Sequence, residues 1–393
     1  MSSATKTVYR LLIIAFLCIA PAGAFAQMSI TREYPALYKS PRAMGMGGAY
    51  TAVGGRTDSL FYNPAGLINI PRDKGWEVNL VNVTADASEN AKDFLNDIQD
   101  ALDVPDANGN GSDSDEQLQA VNNVIAKYQG RNLYARVADF TSVGKRYDRW
   151  AFGVGGIGSA RMNALPHQGF GSDGLVAVDA DATYGGIGGF SIGLTQDFFV
   201  GVSAKYLHRE SLNHIFTSRE LVEHQDNLDD YIKDDLSQSG DALGFDAGLI
   251  WKFAKSSKLK PSFGLSVMNI GDLDFDKAGK IPQTVNVGFA INPTLAKFRS
   301  LIVAVDYIDV LNNYEQDKDM AKRLRYGAEL QLFDKPSFEM AIRAGMYESY
   351  PTFGADLRLF IFAFSYTIYS EEIGAYAGQD KNRRQMLTVN VGW

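Results

Sequence analysis

Apolar and polar residues alternate with a period of two through most of this chain, and that pattern restricts its fold more than any other feature. At the C-terminal end Leu387, Val389, Val391 and Trp393 share one face of an extended chain, with Met386, Thr388, Asn390 and Gly392 on the other. Val285, Val287, Phe289 and Ile291 alternate with Asn286, Gly288 and Ala290, and Leu301, Val303, Val305 and Tyr307 flank positions such as Asp306. Phe338, Met340, Ile342 and Ala344 alternate with Glu339, Ala341 and Arg343. Successive side chains of a strand point to opposite faces, so each run predicts a strand with one apolar and one polar face. Strands are expected near 76–86, 131–143, 150–162, 176–195, 198–211, 242–255, 261–271, 283–292, 299–311, 323–333, 337–347, 352–360, 361–370 and 384–393, fourteen in all.

The connections alternate in length. Short ones fall at Gly144 to Asp148, Gln196-Asp197, Ser256 to Lys260, Pro293 to Phe298, Asp334 to Pro336 and near Phe360, while the others are mostly longer, the first by far at about forty residues. An even strand count with short turns on one rim and long loops on the other is the pattern of an outer-membrane barrel, the short turns lying in the periplasm. Hydrocarbon offers backbone amides no hydrogen-bond partner, so a sheet crosses it only by closing and leaving no edge. The expected fold is therefore all-β, a 14-stranded antiparallel transmembrane β-barrel with apolar faces toward lipid and polar faces toward the lumen. Trp76, Trp150, Trp251, Trp393, Tyr206, Tyr307 and Tyr369 are expected in interfacial girdles. A soluble sandwich would turn the same apolar faces inward. The loop asymmetry, the aromatic last residue and an export signal favour the barrel.

That export signal occupies residues 1–26: Lys6 and Arg10 precede an apolar run from Leu11 to Ala20, then Pro21 and a small-x-small site at Ala24-Phe25-Ala26. The run is too short for a membrane helix, which needs about 20 residues. Cleavage after Ala26 removes Cys18, the only cysteine of the 393 residues, so thiol catalysis, cysteine zinc sites and disulfides are excluded from the mature chain. It also takes the net charge from -8 to -10, which argues against nucleic acid as a partner. The four histidines, His167, His208, His214 and His224, lack a metal-binding spacing, and nothing marks Ser203 or Ser211 as a nucleophile beside His208. Neither an enzyme nor a cofactor is expected.

The stretch before the first strand departs from the pattern. It contains Ser40-Pro41-Arg42-Ala43-Met44-Gly45-Met46-Gly47-Gly48-Ala49-Tyr50-Thr51-Ala52-Val53 and then Asp58-Ser59-Leu60-Phe61-Tyr62-Asn63-Pro64-Ala65-Gly66-Leu67. This pair of runs resembles the N-terminal hatch of the FadL-type outer-membrane transporters of long-chain fatty acids and aromatic hydrocarbons. Lys280 to Ala290 is similar to a strand start of that family, and Tyr369 to Tyr376 looks more like its TraF-like relatives. The resemblance implies a helical hatch over 27–75, a barrel over 76–393 and a helical extracellular insertion at about 89–129. It also implies capture of a hydrophobic small-molecule ligand, passage to an internal pocket and lateral release into outer-membrane lipid.

Elementary physics supports a plug, because the lumen of fourteen strands is wider than side chains alone fill. Gly45, Gly47 and Gly48 would let a hatch approach the wall closely, and Asn63-Pro64 followed by Ala65 is a turn signal. These residues are either gating elements or simply packing for the plug. Glycines at 153, 155, 156 and 158 on the third strand and at 185, 186, 188 and 189 on the fourth are candidates for a wall opening. The family resemblance places an inward kink on the third strand. Of these, Gly153, Gly155, Gly156, Gly158, Gly185 and Gly186 are the chief kink candidates, and the alternative is that they make room for the hatch.

Lumen-side Arg136, Lys205, Arg343 and Arg358 could pair a ligand carboxylate, although with Arg325 they share those faces with Asp246, Asp306, Glu329 and Asp356, and balanced lumen charges can pair with one another and with the plug. Asp106, Asn108, Asn110 and Gly111 match positions 1, 3, 5 and 6 of a calcium loop, but position 12 is Gln117 where a Glu is needed. The acidic run Glu220 to Asp235 reads as an exposed loop. The expected function is outer-membrane uptake of hydrophobic molecules. The alternative is a structural or assembly component of a conjugative-transfer or secretion system, with protein partners undefined, and an open diffusion pore is disfavoured by the hatch.

Overall fold

Among the described residues of the computed structural model, fourteen wall strands, each paired antiparallel with its neighbours in sequence, form one sheet that closes on itself, and the three-residue strand Thr294–Ala296 is a further short member of the same sheet. The structure describes residues 32–73, 75–103, 115–169, 174–225, 227–254, 256–296, 299–314, 319–335 and 337–393. The expected signal peptide and the calcium-loop residues Asp106, Asn108 and Asn110 lie outside them. The wall strands are β1 (Trp76–Ser88), β2 (Leu133–Arg146), β3 (Trp150–Gln168), β4 (Gly174–Gly193), β5 (Phe198–Thr217), β6 (Gln238–Lys252) and β7 (Pro261–Met268), followed by β8 (Thr284–Ile291), β9 (Arg299–Tyr307), β10 (Leu324–Lys335), β11 (Phe338–Tyr347), β12 (Tyr350–Leu359), β13 (Phe362–Glu372) and β14 (Lys381–Gly392). Closure is made by β1 against β14, from Asn79 opposite Gly392 to Ser88 opposite Arg384. Each strand overlaps a run in which the alternation places one.

The alternation has the sense that a membrane wall requires. On β5, Val202 and Tyr206 are 59% and 60% exposed, while Ser203 and Lys205 between and beside them are buried. On β14, Leu387 and Val389 face outward and Thr388 and Asn390 inward. Buried charges include Arg136, Asp246, Asp306, Glu329 and Arg384. An apolar outside around a charged inside is the reverse of a soluble sandwich.

The strand ends differ from expectation where the wall outgrows the bilayer. About 9–11 residues of strand span the hydrocarbon, yet β3, β4 and β5 have 19, 20 and 20. Their excess projects at the long-loop rim, where the helices Ala91–Leu102 and Asp115–Lys127 cover it. Phe94, Val121, Ile125 and Tyr128 pack there on Leu133, Ala164, Val176, Val178, Leu212 and Phe216. The helix Ser218–Glu223 starts at a capping box of Thr217 and Glu220 on the same rim.

At the short-turn rim Trp76, Trp150, Trp251 and Trp393 are exposed. Trp150 stacks on Tyr147 at 4.1 Å and on Phe190 at 5.6 Å. Tyr369 does not belong to any girdle: it is fully buried in the lumen, and its hydroxyl donates to Asp86 at 2.5 Å. Its place in step with inward Thr367 makes it a lumen residue. Tyr206 faces outward as the ninth residue of the overlong β5, about one bilayer span from the short-turn rim.

Candidate functional site

Residues 32–73 run down the inside of the barrel. At the long-loop rim the Arg32 N–H donates to the Ile373 carbonyl at 3.1 Å, and at the short-turn rim Arg72 pairs with Asp148 at 2.9 Å. Between these ends the segment meets the inner face of the wall all round, from Glu77 on β1 to Arg384 on β14.

Local chemistry shapes the segment. Pro41, with its backbone angle already set for a first turn, opens a short helix to Gly45 that lies on β11 to β14. Gly47 and Gly48 then take left-handed φ values of 66° and 80°. Gly47 passes so close to the wall that a Cβ would lie 2.4 Å from the Met346 carbonyl and 2.6 Å from that of Tyr326. Asn63 caps the turn Pro64–Asn69: its Oδ1 accepts from the Ala65 N–H at 3.0 Å. Its amide donates to the Thr51 carbonyl at 2.8 Å and to the Leu249 carbonyl of β6 at 3.0 Å. A Cβ on Gly201 of β5 would lie 2.4 Å from the Ala65 nitrogen, so the wall is also hollowed to receive the turn.

The segment is held on one side by charge. Glu33 accepts from Arg384 at 2.8 and 3.0 Å and from Lys39 at 2.7 Å, and Lys39 also reaches Glu371 at 2.7 Å. Burial alone would raise the Glu33 carboxyl, yet Arg384 and Lys39 hold it well below the usual carboxylate range. The Arg384 guanidinium lies 3.4 Å from the centre of the Tyr134 ring. Lower down, Arg42 binds Glu329 through two nitrogens at 2.8 and 2.7 Å, and Arg343 bridges Glu329 and Asp356 at 2.6 Å each. Asp306 accepts the backbone N–H groups of Tyr50 and Thr51 at 2.7 Å each. The charged wall groups in this set stand on β9 to β14, and Tyr134 on β2.

The opposite side is greasy. Tyr38, Leu60, Phe61, Leu67, Ile68 and Ile70 of the segment join Phe140, Ile157, Ile187, Leu207 and Ala242 of β2 to β6 in one cluster, which continues to Leu273, Phe275 and Ile281 beneath the long-loop rim. An apolar stripe therefore crosses an otherwise charged lumen, and the segment covers it.

The four lumen cations are spread apart and already engaged. Arg136 donates to Ser159 at 3.1 Å and to the Leu37 carbonyl at 3.0 Å. Lys205 pairs with Asp246 at 2.6 Å. Arg343 belongs to the Glu329 cluster, and Arg358 donates to the Gly392 carbonyl at 2.7 Å near the short-turn rim. Three of them bind wall groups and Arg136 also holds the segment.

The glycines of β3 and β4 do not interrupt the wall. β3 pairs without a shift along both edges, from Arg146–Ala151 to Leu133–Ala164 with β2 and from Trp150–Ile192 to Gln168–Gly174 with β4. Gly155 instead makes room for a lumen aromatic, since a Cβ there would lie 2.7 Å from the Phe140 ring, and Gly153 faces Leu67 at 3.0 Å. Gly156, Gly158 and Gly186 have no atom within 3.5 Å of such a Cβ. The expected kink on the third strand is thus replaced by a regular ladder, because its inward glycines are used for close packing.

Glu33, Lys39, Arg42, Glu371 and Arg384 were not among the residues expected to matter. Charges at inward parity, such as Arg384 in step with Met386 and Thr388, were the available signal.

A closed, fourteen-stranded barrel with an apolar exterior, a charged interior and its own N-terminal segment threaded through it has the architecture of an outer-membrane β-barrel. Among solved structures its fold is that of the FadL-type channels. The deltaS2S3 mutant of the monoaromatic hydrocarbon channel TodX is similar at 14% identity over 90% of this chain and 98% of that one, with a TM-score of 0.50. The P. putida toluene transporter TodX matches at 12% identity over 89% and 97% with a TM-score of 0.47. The Ralstonia pickettii toluene transporter TbuX matches at 13% over 91% and 99%, also at 0.47. No family model and no curated protein matches the sequence.

Proposed function

We propose that this protein carries hydrophobic small molecules through the outer membrane, and that residues 32–73 form a hatch that opens a path along the apolar stripe. In this reading the outward apolar face is bathed in outer-membrane lipid, the short-turn rim is periplasmic and the helices at the long-loop rim are extracellular. The barrel is a conduit and carries out no reaction.

One observation carries the proposal: the two-sided seating of the segment. Ion pairs clamp it to β10 to β14, whereas on β2 to β6 it lies on an apolar cluster with a few hydrogen bonds, from Arg136 to the Leu37 carbonyl, between Thr57 and Ser142, from Ser191 to the Ala65 carbonyl and from Asn63 to the Leu249 carbonyl. A greasy ligand can substitute for the apolar contacts of that side without breaking one of these ion pairs, whereas a hydrophilic solute cannot. The names of the matched structures, a hydrocarbon channel and two toluene transporters, agree with a ligand of this class.

Two measurements test it. Native mass spectrometry of the extracted protein is expected to find laurate or a detergent tail retained, and deleting 27–72 is expected to raise conductance for small hydrophilic solutes. Unchanged conductance together with no retained apolar ligand would favour the assembly-component reading instead.

A further inference from the structure

One arc of the short-turn rim is cationic in an otherwise acidic protein. The chain carries a net charge of -8, yet the described residues of 71–75, 144–150, 193–198 and 251–261 hold seven lysines and arginines against three aspartates. These stretches are the end of the N-terminal segment and the short turns β2–β3, β4–β5 and β6–β7. A local field opposite in sign to that of the whole chain selects a partner of complementary charge.

Two of these cations point into the mouth of the lumen. Arg146 is in step with inward Ser142 and Gly144, and a Cβ on Gly144 would lie 2.6 Å from Thr57 of the N-terminal segment. Lys252 is in step with inward Asp246 and Ile250, and its ammonium lies 5.1 Å from the centre of the lumen-side Phe199 ring. Neither forms an ion pair among the described residues, and the Arg146 Nε is buried without a hydrogen-bond partner. The two charges act on one another, and that of Arg72 acts on Arg146. Like charges under partial burial repel, and a carboxylate placed between them is held by charge-assisted hydrogen bonds.

Arg72 ends the N-terminal segment and pairs with Asp148 at 2.9 Å, both side chains more than half exposed. An exposed pair of this kind contributes little, so an incoming carboxylate can take the place of Asp148. Lys145, beside Arg146, points outward instead, with its ammonium 4.8 Å from the Trp76 ring and 5.2 Å from that of Tyr147, as suits a side chain reaching phospholipid headgroups. Arg146 and Lys252 are turned away from that surface, which favours an occupant entering from the aqueous side. Arg149 and Lys258 continue the positive arc onto exposed turns, which suits a chain with several carboxylates.

We propose that this arc, with Arg146, Lys252 and Arg72 at its centre, docks an acidic segment of a soluble periplasmic protein. The proposal takes from the uptake reading only the orientation, with the short turns in the periplasm. Because Arg72 belongs to the N-terminal segment, such a partner takes hold of that segment's lower end.

The test uses rhodamine-labelled octaglutamate and the full-length protein in dodecyl maltoside, read by fluorescence anisotropy. Binding is expected in the parent, weaker as sodium chloride is raised, and weakened about tenfold or more in Arg146→Gln with Lys252→Gln. Arg146→Lys with Lys252→Arg keeps both charges and is expected to retain binding, while unheated migration on SDS gels checks that each variant is a closed barrel. Equal binding by the glutamine pair and the parent, or no binding by the parent, overturns the proposal. So does displacement by free glutamate at the same carboxylate concentration, which marks a site for a single ion. Phosphatidylglycerol retained in native mass spectra of the parent and lost from the glutamine pair, with octaglutamate unbound, marks a headgroup site and overturns it as well. Lys258→Cys checks the orientation in a chain whose only native cysteine is Cys18: an impermeant maleimide is expected to label it only once the outer membrane is opened. Labelling in intact cells sinks the orientation and the docking site with it, whereas no octaglutamate binding with laurate still retained overturns the docking site alone.

Discussion

Arg384 on β14 and Glu33 on the N-terminal segment are 351 residues apart in sequence and joined by two hydrogen bonds of 2.8 and 3.0 Å in the buried lumen. Both side chains are buried, and Lys39 and Glu371 complete the charged cluster around them. Removing one partner of a buried pair costs about 3–5 kcal/mol, because the remaining charge is stranded. Arg384→Met is therefore expected to loosen the segment and expose Arg42 and Arg56 to trypsin, while the barrel keeps its resistance to denaturation in detergent. Equal protection of the segment in the variant and the parent would contradict this.

The same pair sets a pH dependence. A carboxyl whose value is depressed in the folded state contributes stability that is full above its unfolded value and is lost as pH falls through the folded one. Glu33 lies well below the usual range, so its anchoring persists through the ordinary carboxylate titration near about pH 4.3. Trypsin protection of the segment is expected to be the same at about pH 7 and about pH 5. A loss of protection between those values in the parent, absent from Glu33→Gln, would place its titration where the ion pairs forbid it.

Two glycine substitutions should separate close approach from open space. Gly47→Ala puts a side chain into a left-handed position, which costs about 1–2 kcal/mol, and drives it against the Met346 and Tyr326 carbonyls. Gly158→Ala meets nothing within 4 Å. Thermal unfolding is expected to fall for the first and to stay level or rise slightly for the second.

The sense of the wall is testable with arginine. Val202→Arg, on the lipid face of β5, is expected to destabilise by about 2–4 kcal/mol, while Leu259→Arg in a short turn costs at most about 1 kcal/mol. Refolding into lipid vesicles from urea measures both. Equal tolerance at the two positions would mean that Val202 does not face hydrocarbon.

The helices at the long-loop rim form a separate unit of apolar packing. Ile125→Ala is expected to cost about 2–5 kcal/mol locally. Amide exchange should quicken in 91–102 and 115–127, leaving β10 to β14 unchanged. Exchange spreading around the whole barrel would show that the helices hold the wall closed.

Much of the architecture was legible because strand alternation is local. Leu387, Val389 and Val391 against Thr388 and Asn390 need no knowledge of any distant residue, and closure follows from the absence of backbone partners in lipid. A bulge in β1, where its register against β2 and β14 shifts after Asn79, also left a trace, since Leu80-Val81 places two apolar residues in succession between Asn79 and Asn82. That break in the period was available and carried no meaning until the register of β2 was known. Tyr369 shows the limit from the other side: as an aromatic near a strand end it suits a girdle, but parity turns it inward to Asp86.

Residue order alone therefore set the strands, their number, the direction of their greasy faces and the presence of a non-strand segment ahead of them. Which inward charge meets which, where ion pairs clamp the N-terminal segment and where it lies mainly on apolar side chains, and which of several glycine-rich or irregular strands carries a bulge all depended on the folded barrel. Periodicity acts between nearest neighbours along the chain. Glu33 with Arg384, Arg42 with Glu329 and Asp139 with the Asn82 amide become neighbours only when closure fixes every strand's register and the lumen forces one segment past all fourteen.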